Sequence, residues 1–116
     1  MNPTAAATAP LAQRTCKACH GEASRLTDEQ AAAHLAQLPG WERAGGEIAR
    51  TFSFKNYHET MAFVNATAWV SHREDHHPDL EVGYNKCRVR YSTHSVGGLS
   101  ENDFICAAKV DALLGL

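Results

Sequence analysis

Residues 72–103 read HREDHHPDLEVGYNKCRVRYSTHSVGGLSEND, and the fold is decided inside them. Proline cannot continue a helix, and the residue before it leaves the helical region. Pro78 therefore ends whatever helix carries His72. Beyond it the period changes to two. Leu80 and Val82 alternate in one strand; in the next, Cys87, Val89 and Tyr91 face one way while Lys86, Arg88 and Arg90 face the other. Residues 95–99 form a glycine-bearing loop. Ser100 and Asp103 then sit at capping-box spacing and open a helix over 101–114, with Phe104, Ala107, Ala108 and Leu114 toward the core.

Upstream, Asn56 is placed to cap a long helix over 57–75, whose stripe is Met61, Val64, Ala68 and His72. Before that helix, residues 41–44 and 47–54 flank Gly45-Gly46, the signature of a two-residue hairpin turn. Ile48, Arg50, Phe52 and Phe54 share one face of the second arm. Thr27 and Gln30 start a first helix, with Ala31, Leu35 and Leu38 on one stripe, that Pro39-Gly40 ends. The order is α-β-β-α-β-β-α. We expect an α+β, two-layer domain over residues 26–116, a four-stranded antiparallel sheet with three helices on one face. Residues 1–25, rich in Ala, Thr and Pro, read as a flexible leader, and deleting residues 1–24 is expected to leave activity and thermal stability nearly intact.

The chain has 116 residues, 44% hydrophobic and 21% charged, which suffices for one core and not two. A formal net charge of −2 gives no basic excess for nucleic acid or an anionic membrane. No apolar run approaches the roughly 20 residues of a membrane helix. With no secretory signal in the first residues and only four cysteines, the expectation is a cytoplasmic protein with reduced thiols.

Seven histidines are many for this length, and His72, His76 and His77 fall within six positions. His76 and His77 stand where a helix meets proline, and His94 ends a strand before a glycine loop. Helix and strand ends present side chains to clefts. Imidazoles that titrate near neutrality suit general acid–base chemistry without a strong nucleophile. A surface His-His pair can also be a solvated helix C-terminus. The spacing of His72 and His76 could chelate zinc, with His94 or Asp79 as a third ligand, but no HExxH pattern is present and no metal is expected.

His72-x3-His76-His77-Pro78, then Tyr84, His94 and Asp103 at their spacings, resembles the signature of the pterin-4a-carbinolamine dehydratases. Tyr84-Asn85-Lys86, Ser92-Thr93-His94, Gly98-Leu99-Ser100-Glu101-Asn102-Asp103 and the Leu38-Pro39-Gly40-Trp41 corner extend the likeness over residues 26–116. The resemblance implies a dehydratase that eliminates water from a 4a-hydroxytetrahydropterin to give quinonoid dihydropterin. The pterin is then the substrate, and no cofactor is implied. It further implies His76, His77 and His94 as catalytic residues. His76 and His94 would transfer protons and His77 would orient the pterin. Pro78, Thr93, Ser95 and Val96 would line the pocket, and Asp103 would orient an imidazole. The first signature position is often acidic in that family and here is His72, so Glu74 or Asp75 would have to replace a carboxylate. Implied partners are a second or further copy of the chain, as homodimer or homotetramer, and a functional link to an aromatic amino acid hydroxylase. Other roles in reach are a dimerisation cofactor of a transcription factor and a pterin-handling protein serving molybdenum-cofactor enzymes.

Cys16-Lys17-Ala18-Cys19-His20 matches the haem-attachment string literally, and half a zinc or redox site as well. A reduced tail is the favoured reading. Cys87 and Cys106 read as buried apolar side chains.

Overall fold

The structure, a computed structural model, describes residues 9–18 and 21–115. Among the described residues three α-helices, α1 (Asp28–Leu35), α2 (Tyr57–Glu74) and α3 (Glu101–Leu113), alternate with two hairpins, β1 (Glu42–Ala44) with β2 (Glu47–Ser53) and β3 (Asp79–Val82) with β4 (Lys86–Tyr91). The strands form one antiparallel sheet in the order β1-β2-β4-β3. This is the α+β architecture that the pattern predicts. Among the described residues no helix is long and apolar enough to cross a membrane.

Local chemistry sets the boundaries. The Thr27 hydroxyl accepts from Gln30 N at 3.2 Å, and the Gln30 side chain accepts from Thr27 N at 2.9 Å, the reciprocal box that starts α1. α1 ends at Leu35, short of Pro39, because two tighter turns, in which Leu38 N donates to Leu35 O and Trp41 N donates to Leu38 O, swing Leu38 and Trp41 into the core. Gly45 takes φ +60° in the β1–β2 turn, a conformation open to glycine. The register opposes Ile48 to Tyr91, Arg50 to Val89 and Phe52 to Cys87. Alternation therefore places Ile48, Phe52, Cys87, Val89 and Tyr91 on the helix-bearing face, all buried. Thr51, Ser53, Lys86 and Glu81 leave the other face polar and exposed.

α2 is rotated from the stripe predicted for it. Its buried residues are Thr60, Phe63, Thr67 and Val70; Met61 and Val64 are half-buried, and Ala68 and His72 are exposed. Counting apolar residues missed two threonines whose hydroxyls are already satisfied. Thr60 donates to Asn56 O at 2.9 Å and Tyr84 O at 3.0 Å, and Thr67 donates to Val64 O at 2.7 Å. A hydroxyl bonded to backbone costs little to bury. Phe63 completes the face, with ring centroids 4.7 Å from Phe52 and 5.0 Å from Phe54.

α3 is buried on every side from Asn102 to Ala108, whereas Leu114, expected in the core, lies past its end and is exposed. The cover on its far side comes from residues 9–18, so the expectation of a flexible leader does not describe this part of it. Leu11, 3% exposed, belongs to the core cluster. Asn102 accepts from Lys17 N at 3.0 Å and donates to Lys17 O at 2.6 Å; Lys109 donates to Ala12 O at 2.9 Å; Arg14 pairs with Glu101 at 2.9 Å. The segment is an ordered strap. At the opposite rim, Asp111 accepts from Trp41 Nε1 and from Arg50, each at 3.1 Å. Burial pushes the Asp111 carboxyl above its ordinary range, and the Trp41 and Arg50 donors pull against that.

Candidate active site

α2 stops because Asp75 takes the left-handed conformation, φ 51° and ψ 42°, and donates its N–H to Ser71 O. Asp tolerates that conformation better than most residues. The turn throws His76 and His77 off the helix toward the end of β4. There the chain leaves the sheet at Thr93, which pairs with Gly98 across a short 3-10 turn, His94–Val96. Val96 is buried and anchors this loop, while His94 and Ser95 are exposed on its outer side.

These two corners enclose a cleft of about 220 Å³. Its walls carry His76, His77, Thr93, His94 and Ser95 of the residues named from sequence. Pro78, Val96 and Asp103 are not on its walls. Val96 points to the core because a small loop needs one apolar anchor, and Asp103 lies wholly buried behind His76. Asp75, Asp79, Arg90 and Ser92 line the cleft without having been singled out as pterin contacts. The sequence carries a signal for two of them: Arg90 and Ser92 precede His94 at alternate positions as the chain runs off the end of β4. A wider groove of about 530 Å³ lies between the strap, α3 and Pro39, but it holds no histidine.

The polar core of the site is a chain of hydrogen bonds. His76 Nε2 is 2.7 Å from Asp103 Oδ1. Asp103 Oδ2 accepts from the Thr93 hydroxyl at 2.8 Å and from Ser100 N at 3.0 Å. The Ser100 hydroxyl turns to Thr93, 2.8 Å away. A carboxylate at the first turn of α3 thus has three donors, one of them the imidazole N–H. With Nε2 donating, the neutral ring of His76 carries its lone pair on Nδ1. The ring also stacks on Tyr91, centroids 5.9 Å apart and planes within 12°. His77 donates Nδ1–H to Pro78 O at 3.4 Å, which leaves Nε2 as the acceptor, and the His94 ring has no hydrogen-bond partner among the described residues.

His72 stands apart, exposed on α2 with its ring 5.6 Å from Trp69. Of the two carboxylates considered as replacements, Asp75 reaches the cleft and Glu74 accepts from Cys16 N at 2.9 Å instead. Among the described residues no group of three or more His, Cys, Asp or Glu is placed to hold a metal. Cys19 and His20 lie outside the described residues, so the Cys16/Cys19/His20 motif is represented by Cys16 alone.

Comparisons with known proteins bear on this site. The family model described as pterin 4 alpha carbinolamine dehydratase matches residues 24–113. A protein of Nitrosomonas eutropha named "Putative pterin-4-alpha-carbinolamine dehydratase" is 67% identical over 105 residues, 90% of this chain and 93% of its own. One of the same name from Dechloromonas aromatica is 58% identical over 104 residues, 90% of this chain and 93% of its own. The crystal structure of a transcriptional coactivator/pterin dehydratase from Brucella melitensis superposes with TM-score 0.74 at 33% identity, covering 77% of this chain and 97% of that one. A pterin dehydratase-like protein identified as a RuBisCO assembly factor in the alpha-carboxysome superposes with TM-score 0.54 at 28% identity, covering 65% and 87%.

Proposed function

Because the chain belongs to the pterin 4 alpha carbinolamine dehydratase family, we propose that it removes water from a 4a-hydroxytetrahydropterin. The observation that carries this reading is the His76–Asp103 pair at 2.7 Å on a cleft shared with His77 and His94. In the elimination, N5 gives up its proton, the freed pair forms the C4a–N5 double bond, and the C4a hydroxyl takes a proton and leaves as water. One base and one acid are needed, both active near neutral pH. Asp103 fixes the tautomer of His76, so Nδ1 is the base for N5–H. His94, whose ring has no hydrogen-bond partner among the described residues, delivers the proton to the hydroxyl. His77 orients the ring, with Thr93 and Ser95 beside it. The product is quinonoid dihydropterin, and the hydroxylase link, a cytoplasmic location and an even-order homo-oligomer belong to the same proposal.

The test is turnover of 4a-hydroxytetrahydropterin followed by its absorbance. His76→Ala and His94→Ala are expected to lower kcat by at least about 100-fold. His77→Ala should raise KM with a smaller change in kcat. The wild type should turn over unchanged in a strong chelator. Near-normal kcat and KM in all three variants would remove the site. A wild type without turnover would favour a non-catalytic role instead; one fold relative is a RuBisCO assembly factor.

A further inference from the structure

Cys16 and Cys106 are 90 positions apart in the chain, yet their Sγ atoms are 3.5 Å apart. Both are free thiols. Cys106 is wholly buried in the middle of α3, and Cys16 is half-buried on the strap. We propose that this pair is a site of disulfide formation, in which a peroxide joins the strap covalently to α3.

The surroundings hold the two sulfurs together. Cys16 N donates to Glu74 at 2.9 Å, and the next residue, Lys17, is bracketed by both ends of the Asn102 amide. Cys16 Sγ also lies 3.7 Å from Asn102 O. A disulfide needs about 2.05 Å between sulfurs, so the pair must close by roughly 1.5 Å. The strap can supply this movement. It is tied by hydrogen bonds, the Arg14–Glu101 ion pair and the packing of Leu11, Ala12 and Cys16 on the core, whereas α3 is packed all round. Neither cysteine lines the histidine cleft.

The reduced pair is durable at rest. The Cys106 thiol, burial and the Glu74 carboxylate all hold Cys16 in its protonated form. Reaction begins when the strap lifts and Cys16 meets solvent, where its thiolate attacks hydrogen peroxide. The O–O bond breaks, Cys16 becomes a sulfenic acid and one water leaves. With the strap reseated, the Cys106 sulfur attacks Cys16 sulfur, the S–O bond breaks, and the Cys106 proton departs with the hydroxyl as a second water. Two thiols lose two hydrogens, and one peroxide becomes two waters. The bond hardens the fold and leaves the cleft open.

The test uses the full chain, reduced and then exposed to hydrogen peroxide, digested with trypsin without reductant and weighed. Peptide 15–17 joined to peptide 91–109, two hydrogens below their sum, is the expected product. The melting temperature should rise by roughly 5 °C or more, reversibly on reduction. Cys16→Ser should abolish both effects, as should Cys106→Ala, and Cys19→Ser should keep both. Cys16→Ser changes a half-exposed position and secures the comparison if the buried variant does not fold. A link from peptide 15–17 to peptide 18–25, a link between chains, or Cys16 oxidised without a cross-link would overturn the proposal. None of these readouts depends on pterin turnover.

Discussion

Asp103 shows how one side chain can serve fold and site together. It closes the first turn of α3 through Ser100 N and holds His76 by its other oxygen. Asn cannot accept from His76, Thr93 and Ser100 at once without setting its own NH2 against a donor. Asp103→Asn should therefore cost about 1–3 kcal/mol of stability and lower kcat by at least about tenfold with KM little changed. Chemical denaturation and steady-state kinetics read the two effects separately. Tyr91 is the counterpart behind the ring. Its hydroxyl is buried without a partner among the described residues, and burial first, then the neighbouring thiols and Asp103, push it above the ordinary tyrosine range. Cys16 and Cys87 are raised as well, Cys16 chiefly by the Cys106 thiol and Cys87 by burial. In each case the folded chain keeps a proton that the unfolded chain releases. The contribution of these three groups to stability should thus be full below about pH 8 and fall as pH rises through about 8.5–10 and beyond. Tyr91→Phe should keep the stack on His76, raise stability by about 1 kcal/mol and flatten the loss above about pH 10. An unchanged alkaline slope in that variant would contradict the assignment to Tyr91.

At the scale of elements, the strap is the part that packing, and not pattern, places. Residues 9–18 have no period: Leu11 is the strap's one fully buried residue among those described, Ala12 and Cys16 pack on the core in part, and the rest bonds through backbone groups and a few polar side chains. Such a segment is invisible to pattern, because what it covers is decided elsewhere. Leu11→Ala should cost about 2–3 kcal/mol and lower the melting temperature by on the order of 10 °C. Deleting residues 1–18 should cost more, because α3 loses its cover. A truncated chain that melts with the intact one would show that the strap is not held in solution. α2 teaches the same lesson from inside: its stripe was displaced because Thr60 and Thr67 are polar by composition and apolar in effect once their hydroxyls bond to backbone.

At the scale of the molecule, two sheet edges, β1 and β3, have no strand partner among the described residues, and β1 is exposed along its length. Trp69, 61% exposed, stands out from α2, with Val82 and Tyr84 exposed near the β3 edge. Open edges and large exposed apolar groups are surfaces that association would cover. Sedimentation at micromolar concentration should show an even-order homo-oligomer. Trp69→Glu should lower that order if the α2 face takes part. A monomeric wild type would contradict the assembly.

Sequence by itself determined the order of elements, because its signals are local: Thr27 with Gln30, Gly45-Gly46, Asn56, Pro78 and the alternation from Lys86 to Tyr91 each act within a few residues. It also determined that His76, His77 and His94 stand at element ends. Tertiary structure decided which of their neighbours face the cleft. Asp75 and Arg90 reach its walls, Val96 turns to the core and Asp103 passes behind His76, since these depend on how α2, β4 and α3 meet. It alone brought Cys16 to Cys106 across 90 positions, because burial and contact belong to the packed chain and no stretch of it carries them.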